Sequence, residues 1–415
     1  PVVVTGNSGA RVSSGQTFTY TAAAAVASVV PSSGQAGTRV TILGSNLLGG
    51  GARVERVTLA GVEAAVVEQN ASAVVVVASL SRERAAGDVV LYSDTGAFVR
   101  ATGAFRYLTP GRVSTLSPSS GQVGTVVELA GFELLGGGSS LVSLRLHGVA
   151  VTNVTHVSSS LIVFEVPRTA TQGAGDVAIV SDTGATVIAD DAWTFLEIGV
   201  VESAAPARGQ EGTYVTLSGQ RLLGGGAAIV GARLGDTDVE AVVSSSNTEV
   251  VVRAAGAGAG AAGAVNASLV ADTGARVVSG AAVFEYLVGG SVSSVTPLSG
   301  QAGTEVVIEG TNLVGHEAVL ASVELAGITA ASIVRFNATR VVAVAGDGAA
   351  GTGAVVLTAQ QGSRVSGGML EWTQLERGVV DAVEPSSGHA GTLVTVSGRR
   401  LLGGGAAFAR VELGG

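Results

Sequence analysis

The feature that most constrains this chain is an eight-residue string that returns five times. It reads PSSGQAGT at 31–38, PSSGQVGT at 118–125, PARGQEGT at 206–213, PLSGQAGT at 297–304 and PSSGHAGT at 385–392. The step is nearly constant at about 88 residues, longer than the ~20–50 residues of solenoid repeats. Each copy is therefore expected to be a small domain with its own core. The 415 residues then divide into the C-terminal part of a preceding repeat (1–24), repeat 1 (27–109), repeat 2 (112–197), repeat 3 (198–288), repeat 4 (291–375) and the N-terminal part of a further repeat (378–415).

Inside each copy, apolar residues alternate with period two, the mark of half-buried strands. Val40/Ile42 recur as Val127/Leu129, Val215/Leu217, Val306/Ile308 and Val394/Val396. A second alternating strand carries Val57/Leu59, Leu144/Leu146, Ala232/Leu234, Val323/Leu325 and Val411/Leu413. A valine-rich run follows, then a hairpin at Asp94-Thr95-Gly96, then a strand closing on Phe105 and Tyr107. No window holds helical periodicity for three turns. Short strands between glycine-rich turns predict an all-β chain of β-sandwiches. The linkers are only a few residues long, so the sandwiches are expected end to end, as a stiff rod.

The string Pro-x-x-Gly-x-x-Gly-Thr, a strand, and then Gly44-Ser45-Asn46-Leu47 or Gly310-Thr311-Asn312-Leu313 resembles the IPT/TIG family. The closing pairs Phe105/Tyr107 and Phe284/Tyr286 are similar to that family as well. The resemblance covers essentially the whole chain and implies immunoglobulin-like sandwiches of the kind found in plexins, transcription factors and cell-surface proteins. It does not fix a function. The chain departs from the family in a Leu-Leu-Gly-Gly-Gly loop at 47–51, 134–138, 222–226 and 401–405, and repeat 4 departs from that in turn with Val314-Gly315-His316-Glu317.

Composition narrows the function classes. All 23 basic residues are arginine and the net charge is −9, so the basic footprint of a nucleic-acid binder is missing. There is no cysteine, which removes disulfides and thiolate metal sites. The mean hydropathy of +0.50 comes from short valine and alanine runs, and no span in the given chain reaches the ~18–20 apolar residues that cross a bilayer. Units this small bury only about 60–65% of their unfolded surface, so contacts between neighbours, or attached groups, are expected to add stability. Aromatics are only 4%, which predicts cores built from small side chains.

No catalytic, cofactor or metal site emerges. Asp-Thr-Gly at Asp94, Asp182 and Asp272 is the aspartic-protease string, but that chemistry needs two such loops across one cleft, and here each lies in its own repeat. It reads better as a tight hairpin. The loop from Gly258 to Gly263 has the glycine spacing of a dinucleotide fingerprint without the strand-before, helix-after context. His147, His156, His316 and His389 are scattered. Calcium wants six to eight oxygens, more than the hairpin aspartates supply.

Asparagine carries the clearest chemical signal. Of eight, four stand in Asn-x-Ser/Thr: Asn70, Asn153, Asn266 and Asn337. If the chain is secreted, these are N-glycan acceptors. Asn70 and Asn337 precede the valine-rich strand, where Asn247 is expected to be their counterpart in repeat 3. The reading is a non-enzymatic structural protein, extracellular or on the cell surface: a glycosylated array that self-associates into a fibre, with N-linked glycans in place of any cofactor. The alternatives are a receptor or adhesin ectodomain binding protein or carbohydrate, with His316 and Glu317 as the candidate contacts, and a spacer of a carbohydrate-active enzyme. The opening string is expected to mark where each repeat meets its predecessor.

Overall fold

The computed structural model describes every residue except 83, 85, 259–261 and 415, and the described residues form strands, turns and loops without a helix. The chain resolves into two compact units, Pro1–Leu196 and Glu197–Gly415.

In the first unit, repeat 2 shows the sandwich most plainly. One sheet holds Arg112–Ser117, Val126–Phe132, Leu161–Glu165 and Asn153–Val157, all antiparallel. The other holds Ser120–Gly121, Thr186–Phe195, Gly173–Ser181, Leu141–Leu146 and Val149–Ala150. Val127, Leu129, Leu144, Leu146, Ile162 and Phe164 point between the sheets and are all but fully buried. Period-two alternation places every second side chain on the inner face. Repeat 1 has the same core, but Val62–Gln69 is one unbroken strand that pairs with Val54–Leu59 at one end and Ala73–Val77 at the other, so the two layers share a strand. The aliphatic cores expected from composition are each completed by aromatics of the closing strand. Phe105 and Tyr107 meet edge to face at 5.2 Å, as do Trp193 and Phe195 at 5.8 Å.

In the second unit, repeat 4 repeats the two-sheet order of repeat 2, and repeat 3 joins its layers through a parallel pairing of Val200–Ala205 with Arg276–Ser279. Phe284 and Tyr286 form the same edge-to-face pair at 5.1 Å. Repeat 4 replaces the second ring by Gln374, which accepts from Trp372 Nε1 and donates to the carbonyl of Gly346. The alternating strand expected around Val411 and Leu413 does not form. The two residues are 62% and 60% exposed, with no neighbouring strand to satisfy their backbone.

The opening string is a crossover between layers. In repeat 1, Ala25–Val30 pairs with Arg39–Ser45 in one sheet, the Val30–Pro31 peptide is cis, and Ser33–Gly34 then lies parallel to Arg106 and Tyr107 in the other. All five prolines of the string follow a cis peptide. Thr38 is fully buried and its hydroxyl accepts from the Gln35 amide at 3.0 Å. The equivalent bond forms in all five copies, down to Thr392 with His389 at 2.9 Å. A Cβ on Gly34 would stand 2.5 Å from the Thr38 side chain, and Gly37 has φ of +84°, a conformation that favours glycine. Threonine therefore dictates the first glycine, and the turn dictates the second.

Candidate functional site

The glutamine of the opening string reaches the following repeat. In the first unit, buried Gln35 accepts from the Gly111 amide at 2.5 Å and donates to the Thr186 carbonyl at 3.2 Å. In the second, Gln210 accepts from Gly290 at 3.1 Å and donates to Arg364 at 2.7 Å, and Gln301 accepts from Gly378 at 2.6 Å. The string thus meets its successor, where its predecessor was expected. The reason is topological: the crossover carries it to the end of the sandwich from which the chain leaves.

The hairpin of the next repeat completes the joints of repeats 1 and 2 and of repeats 3 and 4. The Arg39 amide donates to Thr183 at 2.8 Å and the Thr186 amide donates to Ala36 at 3.0 Å. At the corresponding place in the second unit, Tyr214 donates to Gln361 at 2.9 Å and Arg364 donates to Glu211 at 2.8 Å. Two motifs that looked independent in the sequence therefore form one fastening. At the joint of repeats 3 and 4, Glu240 also pairs with Arg364 across the joint and with Arg253 of its own repeat at 3.4 Å.

The hairpin carboxylates hold the glycine loop of their own repeat. Asp94 accepts from the Ala52 amide at 3.2 Å, Asp182 from Ser139 at 3.0 Å and Asp272 from Ala227 at 3.0 Å. Asp182 also takes the Ser139 hydroxyl, and that side-chain bond holds its carboxyl below the usual carboxylate range. A Cβ on the third loop glycine would lie 1.8 Å from Asp94 at Gly51, 2.3 Å from Asp182 at Gly138 and 2.1 Å from Asp272 at Gly226. Repeat 4 exchanges the two partners. Gln360 stands where the aspartate would be, and Glu317 stands where the glycine would be. Glu317 now accepts from the hairpin amides of Gln361 at 2.5 Å and Ser363 at 3.3 Å. The loop that was expected to contact a ligand has, for Glu317, this structural explanation. His316 lies beside it, with Nε2 2.9 Å from the Val288 carbonyl.

That joint borders a cleft of about 530 Å³, whose lining includes Arg208, His316, Glu317, Gln360 and Gln361. His147 and His156 are exposed elsewhere, in repeat 2, and the ring of His389 has its Nδ1 3.0 Å from the Ala390 carbonyl next to it. Among the described residues there is no group of three or more His, Asp or Glu that could hold a metal ion. The loop from Gly258 to Gly263 includes 259–261, which lie outside the described residues.

All four sequon asparagines are exposed. Asn70 Oδ1 accepts from the amides of Ser72 and Ala73, both at 2.8 Å, and Asn337 Oδ1 accepts from Thr339 and Arg340 at the same distance. These are Asx turns that use the carbonyl oxygen and leave Nδ2, the atom that would carry a glycan. In repeats 2 and 3 the same turn is capped by Ser158 and Ser246. The counterpart of Asn70 in repeat 3 is thus Ser246, and Asn247, expected there, sits one residue beyond. Asn153 differs, since its Nδ2 donates to Glu165 at 2.8 Å. Asn266 lies between the strands Gly263–Val265 and Ala267–Ala271.

Paired antiparallel sheets, a strand that crosses between them and closure on an aromatic pair define a tandem immunoglobulin-like protein. The IPT/TIG domain model matches residues 24–107, 112–191 and 291–370, more than half of the sequence, and the chain belongs to that family. Among solved structures it is similar to the plexin A4 full extracellular region, at 14% identity and a TM-score of 0.40, over 88% of this chain and 40% of that one. It also matches SGBP-B of the Bacteroides ovatus mixed-linkage glucan utilization locus, in complex with a mixed-linkage heptasaccharide, at 15% identity and a TM-score of 0.21, over 69% of this chain and 80% of that one. No curated protein matches the chain. No helix among the described residues is long and apolar enough to cross a membrane.

Proposed function

We propose that this chain is a structural, non-enzymatic part of an extracellular or cell-surface protein, an N-glycosylated array of IPT/TIG sandwiches that self-associates into a fibre. One observation carries the reading: a glutamine repeated with the domain, buried at Gln35 and Gln210 and half-buried at Gln301, fastens a repeat to the next at the joints within each unit. A side chain in the same position of successive copies, spent on the neighbour, is what a load-bearing or spacing array requires. A buried amide bonded on both sides fixes the register of two domains, because leaving it unmade costs about 1–3 kcal/mol.

The exposed sequons support the extracellular part of the reading. Intact-mass measurement of native material before and after enzymatic deglycosylation is expected to show a loss matching glycans at Asn70, Asn153, Asn266 and Asn337. An unmodified native mass sinks the glycosylation. Negative-stain imaging of the same material is expected to show filaments, and isolated short particles at all concentrations sink the fibre.

A further inference from the structure

The copies of this repeat are similar enough that each serves as a control for the others, and their departures converge on one place. The residue after the second position of the opening string is Ser33, Ser120, Ser299 and Ser387 in four copies and Arg208 in the remaining one. In the first three complete repeats the hairpin is Asp-Thr-Gly and the facing loop is glycine-rich, whereas repeat 4 carries Gln360-Gln361 and His316-Glu317. These departures come from two different repeats, 108 to 153 residues apart in the chain, yet all of them line the 530 Å³ cleft in the second unit.

Internal packing accounts for Glu317 alone. Both its oxygens are taken by hairpin amides, and Arg208 is not its ion-pair partner. Arg208 is exposed, and its guanidinium has no hydrogen bond or ion pair with any described residue. The side-chain amides of Gln360 and Gln361 are likewise unbonded. His316 spends Nε2 on the Val288 carbonyl, so in the neutral ring with Nε2 protonated, Nδ1 is left as an acceptor. The cleft therefore offers one unspent cation, two amides that each donate and accept, and one ring nitrogen. Its volume falls within the range of small-molecule sites, but its lining is polar where such sites are usually apolar.

We propose that this cleft binds a saccharide bearing a carboxylate, with Arg208 taking the carboxylate through its fork of donors and Gln360, Gln361 and His316 taking hydroxyls. A single guanidinium matches one carboxylate, the charge that each acidic sugar carries, and Glu317, which lines the same cleft, disfavours a doubly charged group such as phosphate. Groups that donate and accept at once suit hydroxyls, which do the same. The site is independent of fibre formation.

The test is isothermal titration of the full chain with trigalacturonate, with maltotriose as the neutral counterpart, and with triglutamate as an anion without sugar hydroxyls. Trigalacturonate is expected to bind at least tenfold more tightly than either. Arg208→Ser restores the residue that the other copies carry, so it keeps the fold, verified by an unchanged thermal midpoint, and is expected to weaken trigalacturonate binding at least tenfold. Gln361→Thr restores the hairpin residue of the other repeats and is expected to weaken it severalfold. Absence of trigalacturonate binding overturns the proposal, as does equal binding of triglutamate or maltotriose, or an Arg208→Ser affinity equal to that of the parent.

Discussion

At the scale of single residues, the closing aromatic pair places a polar atom where it has no partner. The hydroxyls of Tyr107 and Tyr286 are buried without a hydrogen bond to any described residue, and burial raises both phenols above their ordinary value of 10.0. A buried orphan hydroxyl costs about 1–3 kcal/mol relative to a bonded one, so Tyr107→Phe and Tyr286→Phe are each expected to leave stability unchanged or raise it by about 1 kcal/mol. The sign of the pH effect follows from the raised values. The folded state keeps the phenol protonated when the unfolded chain would release it, so the contribution is intact below about pH 10 and is lost as pH rises above it. Denaturant unfolding between pH 9 and 11 is expected to show a loss of stability that the double phenylalanine variant lacks in large part. An identical alkaline loss in the variant refutes this origin.

Among elements, the loop and hairpin of each repeat behave as one coupled pair. Where aspartate holds the loop, the facing position has no room for a Cβ, and where glutamate holds the hairpin, the aspartate is gone. Gln360→Asp in repeat 4 is therefore expected to destabilise by about 1–3 kcal/mol, through crowding and a second carboxylate beside Glu317. Adding Glu317→Gly is expected to recover most of that loss, a non-additivity readable in a double-mutant cycle; additive losses contradict the coupling. In repeat 2 the Ser139 hydroxyl lowers the Asp182 carboxyl. A lowered folded value means a contribution present above the unfolded carboxylate value of about 3.9 and lost as pH falls through the folded one. The Asp182 carboxyl resonance is expected to titrate at lower pH than in Ser139→Ala, and equal midpoints exclude the hydroxyl as the cause.

For the whole molecule, the glutamine joints set how neighbouring repeats in each unit are held. Gln35→Ala and Gln210→Ala each remove the acceptor of a successor amide and the donor to a hairpin carbonyl. Amide hydrogen exchange at Gly111 and Gly290 is expected to quicken about tenfold or more, the equivalent of ~1.4 kcal/mol or more. Core amides such as those of Val127 and Val306 stay as they were, because each sandwich keeps its own core. Unchanged exchange at both glycines shows that the glutamines do not hold the joints.

Much of the fold was legible in the amino-acid sequence. Period-two alternation named inner-face residues such as Val40, Leu129 and Val323, because the pleat itself has period two. The recurrence of one string gave the tandem arrangement, because equal local instructions give equal local structure. The turn chemistry of Asp-Thr-Gly and of the Gly-x-x-Gly-Thr string was likewise local, fixed by φ and by one buried threonine hydroxyl. Contacts between residues far apart in the chain were not legible. Nothing in Gln35 announces Gly111 or Thr186, since a side chain's partner depends on where the crossover delivers it. The exchange of Glu317 for aspartate was present as two separate departures, and only the loop facing the hairpin made them one. The convergence of Arg208 with His316, Gln360 and Gln361 is of the same kind. Sequence by itself determined the repeat, the strands and the turns, all governed by interactions within a few residues. The tertiary structure decided the joints and the cleft, because both are made by surfaces that meet only after each sandwich has closed.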